Sequence, residues 1–230
     1  MIPRNPTDGA TRPRVVRKEM STLTEEQLRR LFEVTEGDRF GALWVVLGPT
    51  GLRLGEALGL RWADADLLQG RLTVRRALQR LKEVGFVFAE PKSARSRRTV
   101  YLASGTVEVL QRHLGHQRRA RLAAGPAWAD GDLVFCNVIG RPQEADKVSR
   151  AFWKALELAQ LPRIRIHDLR HTAATLLLLR AVHPKIVQEL LGHSSVALTL
   201  DTYSHATPAL HAEAVVHMQE LLAPPGARGS

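Results

Sequence analysis

Tyr203 lies ten residues after His193 in the stretch Leu191-Gly192-His193-Ser194-Ser195, which runs on to Asp201-Thr202-Tyr203. Upstream, His167-Asp168-Leu169-Arg170-His171-Thr172 adds a guanidinium and further imidazoles. A phenol, imidazoles and a guanidinium are the parts of a phosphoryl-transfer site. The phenol attacks, an imidazole carries protons, and the planar guanidinium grips two phosphate oxygens at once. A tyrosine must shed a proton of pKa near ~10 before it can attack phosphorus, so it needs cations or a base beside it. Arg53, Lys92, His167, Arg170 and His193 are side chains of the right kinds. His167 and Arg170, three apart, share one face near the start of a helix, where the backbone dipoles favour a phosphate. Taken singly, each has a plainer reading: a buried histidine with a surface arginine, a local cap at His193, a rim tyrosine at Tyr203.

The elements that must hold these residues are legible in outline. Residues 1 to about 22 carry Pro3, Pro6, Gly9 and Pro13 without periodicity and read as an extended basic arm, in which Arg14, Arg17 and Lys18 can touch phosphates or remain solvated. Thr24 with Gln27 three residues on is a capping box that opens the first helix, with Leu28, Leu31 and Phe32 on its apolar stripe. An apolar segment over 40–47 is expected to break at Gly48-Pro49-Thr50-Gly51, after which Arg53 begins a helix just past the turn. From Arg71 to Leu102 the period changes to two, and Leu72 with Val74, then Phe86-Val87-Phe88, then Thr99-Val100-Tyr101-Leu102 predict three short antiparallel strands. Lys92 falls in the turn between the second and third, followed by Arg95, Arg97 and Arg98, a basic run that reads as an ordinary solvated turn or, with the resemblance given below, as a grip on the DNA backbone. A long helix begins near Val107 and ends near Gly125; others are centred on Phe152, on 167–181 and on 184–192, with Pro184 in the first turn and Gly192 at the end. A last amphipathic helix is expected from Pro208 to Leu222, and the tail beyond reads as disordered. The fold class is therefore mainly α with a small three-stranded antiparallel β-sheet, arranged as an arm (1–22), one domain (23–222) and a tail (223–230).

Composition narrows the partners. Lys and Arg outnumber Asp and Glu by 33 to 23, a net charge of +10, which suits a polyanion such as nucleic acid without naming it; double-stranded DNA is the partner that the family resemblance given below implies. No apolar run approaches the ~20 residues of a membrane span, and the polar N-terminus lacks the apolar core of an export signal, so a cytoplasmic protein is expected, and the resemblance given below adds nucleoid association. The single Cys136 excludes an internal disulfide and a multi-cysteine zinc site, and it reads as a buried thiol. Of the histidines 167, 171, 193 and 205, only His167 and His171 form a local ligand pair and no cysteine cluster accompanies them, so no metal and no cofactor is expected.

Five segments in order, Thr50-Gly51-Leu52-Arg53-Leu54-Gly55-Glu56, Pro91-Lys92 through Thr99-Val100, His167 through Thr172, Leu191-Gly192-His193, and Tyr203, resemble the catalytic domain of the tyrosine recombinases, the phage integrase family. The resemblance covers roughly Leu23 to Ala206 with family-like spacings. It implies that Tyr203 attacks the scissile phosphate and forms a 3′-phosphotyrosyl bond, freeing a 5′-hydroxyl. Arg53 and Arg170 then match the pair that holds the non-bridging oxygens, Lys92 the acid for the leaving 5′-oxygen, His167 the base, and His193 a donor near the phosphate. Glu56, three residues after Arg53, is expected to orient it or another buried partner, and His171 and His205 to make structural hydrogen bonds. The outcome of such chemistry is integration, excision, inversion or resolution of a mobile element, carried out by a homo-oligomer on DNA in which the C-terminal helix docks on a neighbour or on its own domain.

The family commonly carries an N-terminal helical domain of about one hundred residues, where this sequence has a short arm. The chain is expected to be either a catalytic fragment or a minimal recombinase. Two rivals remain. A type IB topoisomerase has a similar site and relaxes DNA, and a non-catalytic regulator would read the segment from His183 to Tyr203 as a helix-turn-helix.

Overall fold

The computed structural model describes residues 21–90 and 97–192. Helix α1 (Glu25–Val34) starts at the expected capping box, in which the Gln27 backbone N–H donates to the Thr24 hydroxyl and the Thr24 N–H to the Gln27 side chain. Leu28 and Leu31 turn inward from it onto α2 (Gly41–Thr50). Helix α2 is apolar on every side, which is the pattern of a helix enclosed by neighbours; Leu43, Trp44, Val46 and Leu47 are all buried, and Trp44 stacks at 5.0 Å on Phe152. Phe152 belongs to α5 (Ala145–Leu158).

The break comes at the far end of the expected Gly48-Pro49-Thr50-Gly51 segment. The helix continues through Pro49 to Thr50 and ends at Gly51, whose φ of 60° puts it in the left-handed region. A proline this close to a C-terminus removes one backbone donor while the Thr50 hydroxyl donates to the Val46 carbonyl, so the last turn holds. Gly48 is a packing position, since a Cβ there would come within 2.7 Å of the Phe32 ring on α1.

After α3 (Leu54–Gly59) come β1 (Ala65–Asp66), β2 (Arg71–Val74), β3 (Ala77–Leu81), β4 (Gly85–Ala89) and β5 (Arg98–Tyr101). Among the described residues they form an antiparallel three-stranded sheet in the order β1-β2-β5 and a separate β3-β4 hairpin. The expected second strand, around Phe86-Val87-Phe88, therefore pairs with β3 and not with the sheet; Leu78 faces Phe88 across that hairpin. The sheet buries Leu72, Val74 and Val100, and places Val74 opposite Arg98. Arg76 and Arg80 lie over the Phe88 and Phe86 rings, so the hairpin covers its own aromatics with guanidiniums.

Helix α4 (Ser104–Ala124) and α5 complete the wall around α2. Helix α6 (Ile166–Leu179) packs along α2, and with α7 (Pro184–Leu191) it encloses a second small core of Ala174, Leu178, Val187 and Leu191. Pro184 at the first turn and left-handed Gly192 after the last bound α7 as the sequence predicts. Among the described residues no helix is long and apolar enough to cross a membrane.

Candidate active site

The tight turn after α2 is what brings two distant arginine segments together. Left-handed Gly51 lies against α6 and α7 so closely that a Cβ would sit 2.3 Å from Leu191 and 3.5 Å from the Ala173 methyl. Its carbonyl accepts a hydrogen bond from Arg170 Nη1 at 2.8 Å. Arg170 is only 2% exposed, so this bond fixes the guanidinium on the second turn of α6 to the loop that ends in Arg53.

Arg53 is the residue before α3, and Glu56 turns back to meet it. The Arg53 backbone N–H donates to Glu56 Oε2 at 2.9 Å and Arg53 Nη1 to Oε1 at 2.8 Å. Glu56 is buried while the Arg53 side chain remains 44% exposed, so one end of the pair is anchored and the other faces solvent. The expectation that Glu56 orients Arg53 or another buried partner holds for both. The second partner is Arg98, whose Nη1 and Nη2 donate to the two carboxylate oxygens at 3.1 and 2.9 Å. Burial works against the Glu56 charge, yet Arg98 and then Arg53 outweigh it and hold the carboxyl below the ordinary glutamate range.

Arg98 is thus a correction to the sequence reading. Expected to grip DNA from a basic turn, it is the first residue of β5 with a side chain 7% exposed, and all of its guanidinium nitrogens are engaged inside the protein. Its neighbour Arg97 stays on the surface and pairs with Glu90 at 2.7 Å. Lys92, Arg95, His193, Tyr203, Arg14, Arg17 and Lys18 lie outside the described residues.

His167 is exposed on the first turn of α6, and His171 follows one turn later with its ring 5.0 Å away, edge to face. Between them Asp168 turns back, accepting from the Arg165 backbone at 2.8 Å and from its guanidinium, so this carboxylate serves the helix start. Desolvation, then the positive charge of Arg170, lowers the His167 pKa, with Arg53 adding to the effect. Desolvation, then His167, pushes His171 down to about 4. Both imidazoles are therefore neutral near pH 7, the form that accepts a proton. Cys136 is half-buried with its pKa raised by burial, in keeping with an inert thiol. Among the described residues no group of three His, Cys, Asp or Glu side chains is arranged to hold a metal.

These histidines tie stability to pH with a definite sign. The folded protein refuses a proton at His171 that the unfolded chain accepts near pH 6.5, so stability is full above that value and falls as the pH drops from 6.5 toward about 4. A single such group sets a slope of at most about 1.4 kcal/mol per pH unit, lessened by solvent at a half-exposed ring. Denaturant titrations across this range should show the decline, and His171→Asn should flatten it; an unchanged slope in the variant would contradict the assignment.

The half-exposed Arg53 and the exposed, neutral His167 can meet a phosphodiester, and the buried charge of Arg170 behind them favours the negative charge that it gains when attacked. Both nearby carboxylates, Glu56 and Asp168, are consumed by arginines and do not oppose an anion.

Relatives point the same way. A model of the phage integrase family matches residues 21–209. A tyrosine recombinase XerC-like protein of Caldanaerobacter subterraneus subsp. tengcongensis is 32% identical over 217 residues, 90% of this chain and 56% of that relative. The ICEBs1 integrase of Bacillus subtilis is 29% identical over 224 residues, 96% of this chain and 60% of that relative. The chain thus spans between half and two thirds of the length of these relatives. Among solved structures, the Tn1549 transposon integrase in complex with transposon right end DNA matches with a TM-score of 0.77 at 27% identity, covering 96% of this chain and 73% of that one. The XerA recombinase matches with a TM-score of 0.69 at 26% identity, covering 87% and 66%.

Proposed function

The chain belongs to the phage integrase family, and from that premise we propose that residues 23–222 carry the catalytic domain of a site-specific DNA recombinase. The observation that supports this most is the buried Arg170 bond to the Gly51 carbonyl, which ties the two arginine segments together with neutral His167 beside them. Tyr203 attacks the scissile phosphate: its oxygen bonds to phosphorus, its proton passes to His167, and the bond to the 5′-oxygen breaks as Lys92 protonates that oxygen. Arg53 and Arg170 hold the non-bridging oxygens, and His193 donates to the same phosphate. The 3′-phosphotyrosyl bond stores the energy of the broken linkage, so the 5′-hydroxyl of another strand attacks it and rejoins DNA without an external energy source or cofactor. Arg14, Arg17, Lys18, Arg95 and Arg97 contact the DNA backbone, and the protein works where DNA is, in the cytoplasm.

The test is a pool of nicked duplexes with randomised core sequence, in which the fragment bearing the freed 5′-hydroxyl diffuses away and traps the intermediate. A covalent protein–DNA adduct is expected. DNA binding without an adduct sinks the reading in favour of a binding regulator, and relaxation of supercoiled plasmid without strand exchange favours a topoisomerase.

The 208–222 segment is apolar along one face, and its place in this reading is on a neighbouring protomer, so that assembly on DNA governs Tyr203. Deleting residues 208–230 is expected to reduce cooperative DNA binding in a gel shift; unchanged assembly would overturn the docking in trans.

A further inference from the structure

Arg98 stands at the meeting point of three elements far apart in sequence. It begins β5, it pairs with Glu56 of α3, and its Nε donates to the Leu190 carbonyl of α7 at 2.8 Å. That carbonyl belongs to the last turn of α7, where the helix itself offers no backbone donors. Beyond it, Gly192 presses its Cα against the same guanidinium, for a Cβ there would lie 3.1 Å from Arg98 Nη1 and 3.3 Å from Cδ and Cζ. One side chain therefore caps α7, supports the left-handed residue after it, and reaches the carboxylate that also holds Arg53.

The Glu56 carboxylate is divided. Oε1 accepts from Arg53 Nη1 and Arg98 Nη1, while Oε2 accepts from the Arg53 backbone and Arg98 Nη2. A guanidinium can take both oxygens of a carboxylate in a fork, and Arg98 has the fork. Arg53 is left with a single side-chain bond to Glu56 and a side chain nearly half exposed. A buried pair of this kind adds little net stability over apolar residues of similar size, so its value lies in the geometry it imposes.

We propose that Arg98 is a positioning residue: by occupying the fork of Glu56 it keeps the Arg53 guanidinium turned toward the phosphate, and by holding Leu190 and Gly192 it fixes the end of α7 against the same carboxylate. Without it, Arg53 closes onto Glu56 as a bidentate pair and withdraws from the substrate. This rests on the recombinase reading, since the consequence is a slower cleavage step.

The experiment measures single-turnover cleavage of a trapping substrate, DNA affinity and melting for Arg98→Lys, Arg53→Lys and the double variant. Lysine retains the charge and loses the fork. Arg98→Lys is expected to slow cleavage on the order of 100-fold, the loss typical of a displaced reacting group, with DNA affinity nearly unchanged. In the Arg53→Lys background the same change should cost little more, because the group it positions is already gone. An equal factor in both backgrounds, or cleavage at the unaltered rate, overturns the proposal. If Arg98→Lys does not fold, Arg98→Gln takes its place, since it also leaves the Glu56 carboxylate free for Arg53; slow cleavage from that folded variant with DNA affinity unchanged supports the proposal and unaltered cleavage overturns it. Absence of an adduct with the unaltered chain overturns the recombinase reading itself, which sets that failure apart from this one.

Discussion

Tyr203→Phe is expected to bind DNA within about twofold of the unaltered chain and to form no covalent adduct. The change removes one oxygen and keeps the ring, so packing is preserved, while the atom that would bond to phosphorus is gone. Affinity for DNA comes mainly from cations neutralising phosphates, and none of Arg53, Arg97, Arg170 or the basic arm is altered. Loss of a base such as His167 would instead slow the step by about 10²- to 10⁴-fold and leave an adduct that accumulates over longer times. The two outcomes are separable on one denaturing gel with a time course, followed by mass spectrometry of the DNA-linked peptide. An adduct that persists in Tyr203→Phe, or a linked peptide that does not contain residue 203, would sink the assignment of the nucleophile.

How much of this was legible in the sequence depends on the range of the interaction concerned. The capping box at Thr24, the bounds of α7 at Pro184 and Gly192, and the start of α3 at Arg53 are set within four residues, and each appears where its local pattern puts it. Strand β3 was not legible: Ala-Leu-Gln-Arg-Leu has no clean alternation, and it becomes a strand because β4 pairs with it. Pro49 reads as a breaker, yet the packing of α2 on all sides holds the helix for one more residue. Arg98 is the instructive failure. A basic run of Arg95, Arg97 and Arg98 looks solvated, and nothing within ten residues distinguishes the one that turns inward, since its partners are 42 and 92 positions away. The partial signal was Glu56, an acid on the buried face of a short helix that needs more than one exposed arginine to keep its charge.

Arg170→Lys and Arg53→Lys should separate anchoring from chemistry. Both substitutions retain a positive charge and remove the planar fork, so both should slow cleavage by roughly 10²- to 10³-fold, the cost of losing a preorganised donor to the transition state. Their effects on folding should differ. Arg170 is 2% exposed and donates to the Gly51 carbonyl, so a lysine there places a compact, strongly hydrated ammonium in a buried site and forfeits the bond that joins α6 to the turn after α2. Leaving a buried carbonyl poorly satisfied costs about 1–3 kcal/mol, which should appear as a lower denaturation midpoint with an unchanged slope. Arg53 is 44% exposed, and Glu56 retains Arg98 when it is changed, so its variant should unfold within about 0.5 kcal/mol of the unaltered chain. Equal stability losses at the two positions would contradict the division in which Arg170 supports the fold and the site together while Arg53 is held by it. If the losses differ as stated, the buried arginine accounts for the tightness of this turn: it is drawn against α6 and α7 so that the Gly51 carbonyl reaches the Arg170 guanidinium, and Leu191 then fills the space a Cβ on Gly51 would need.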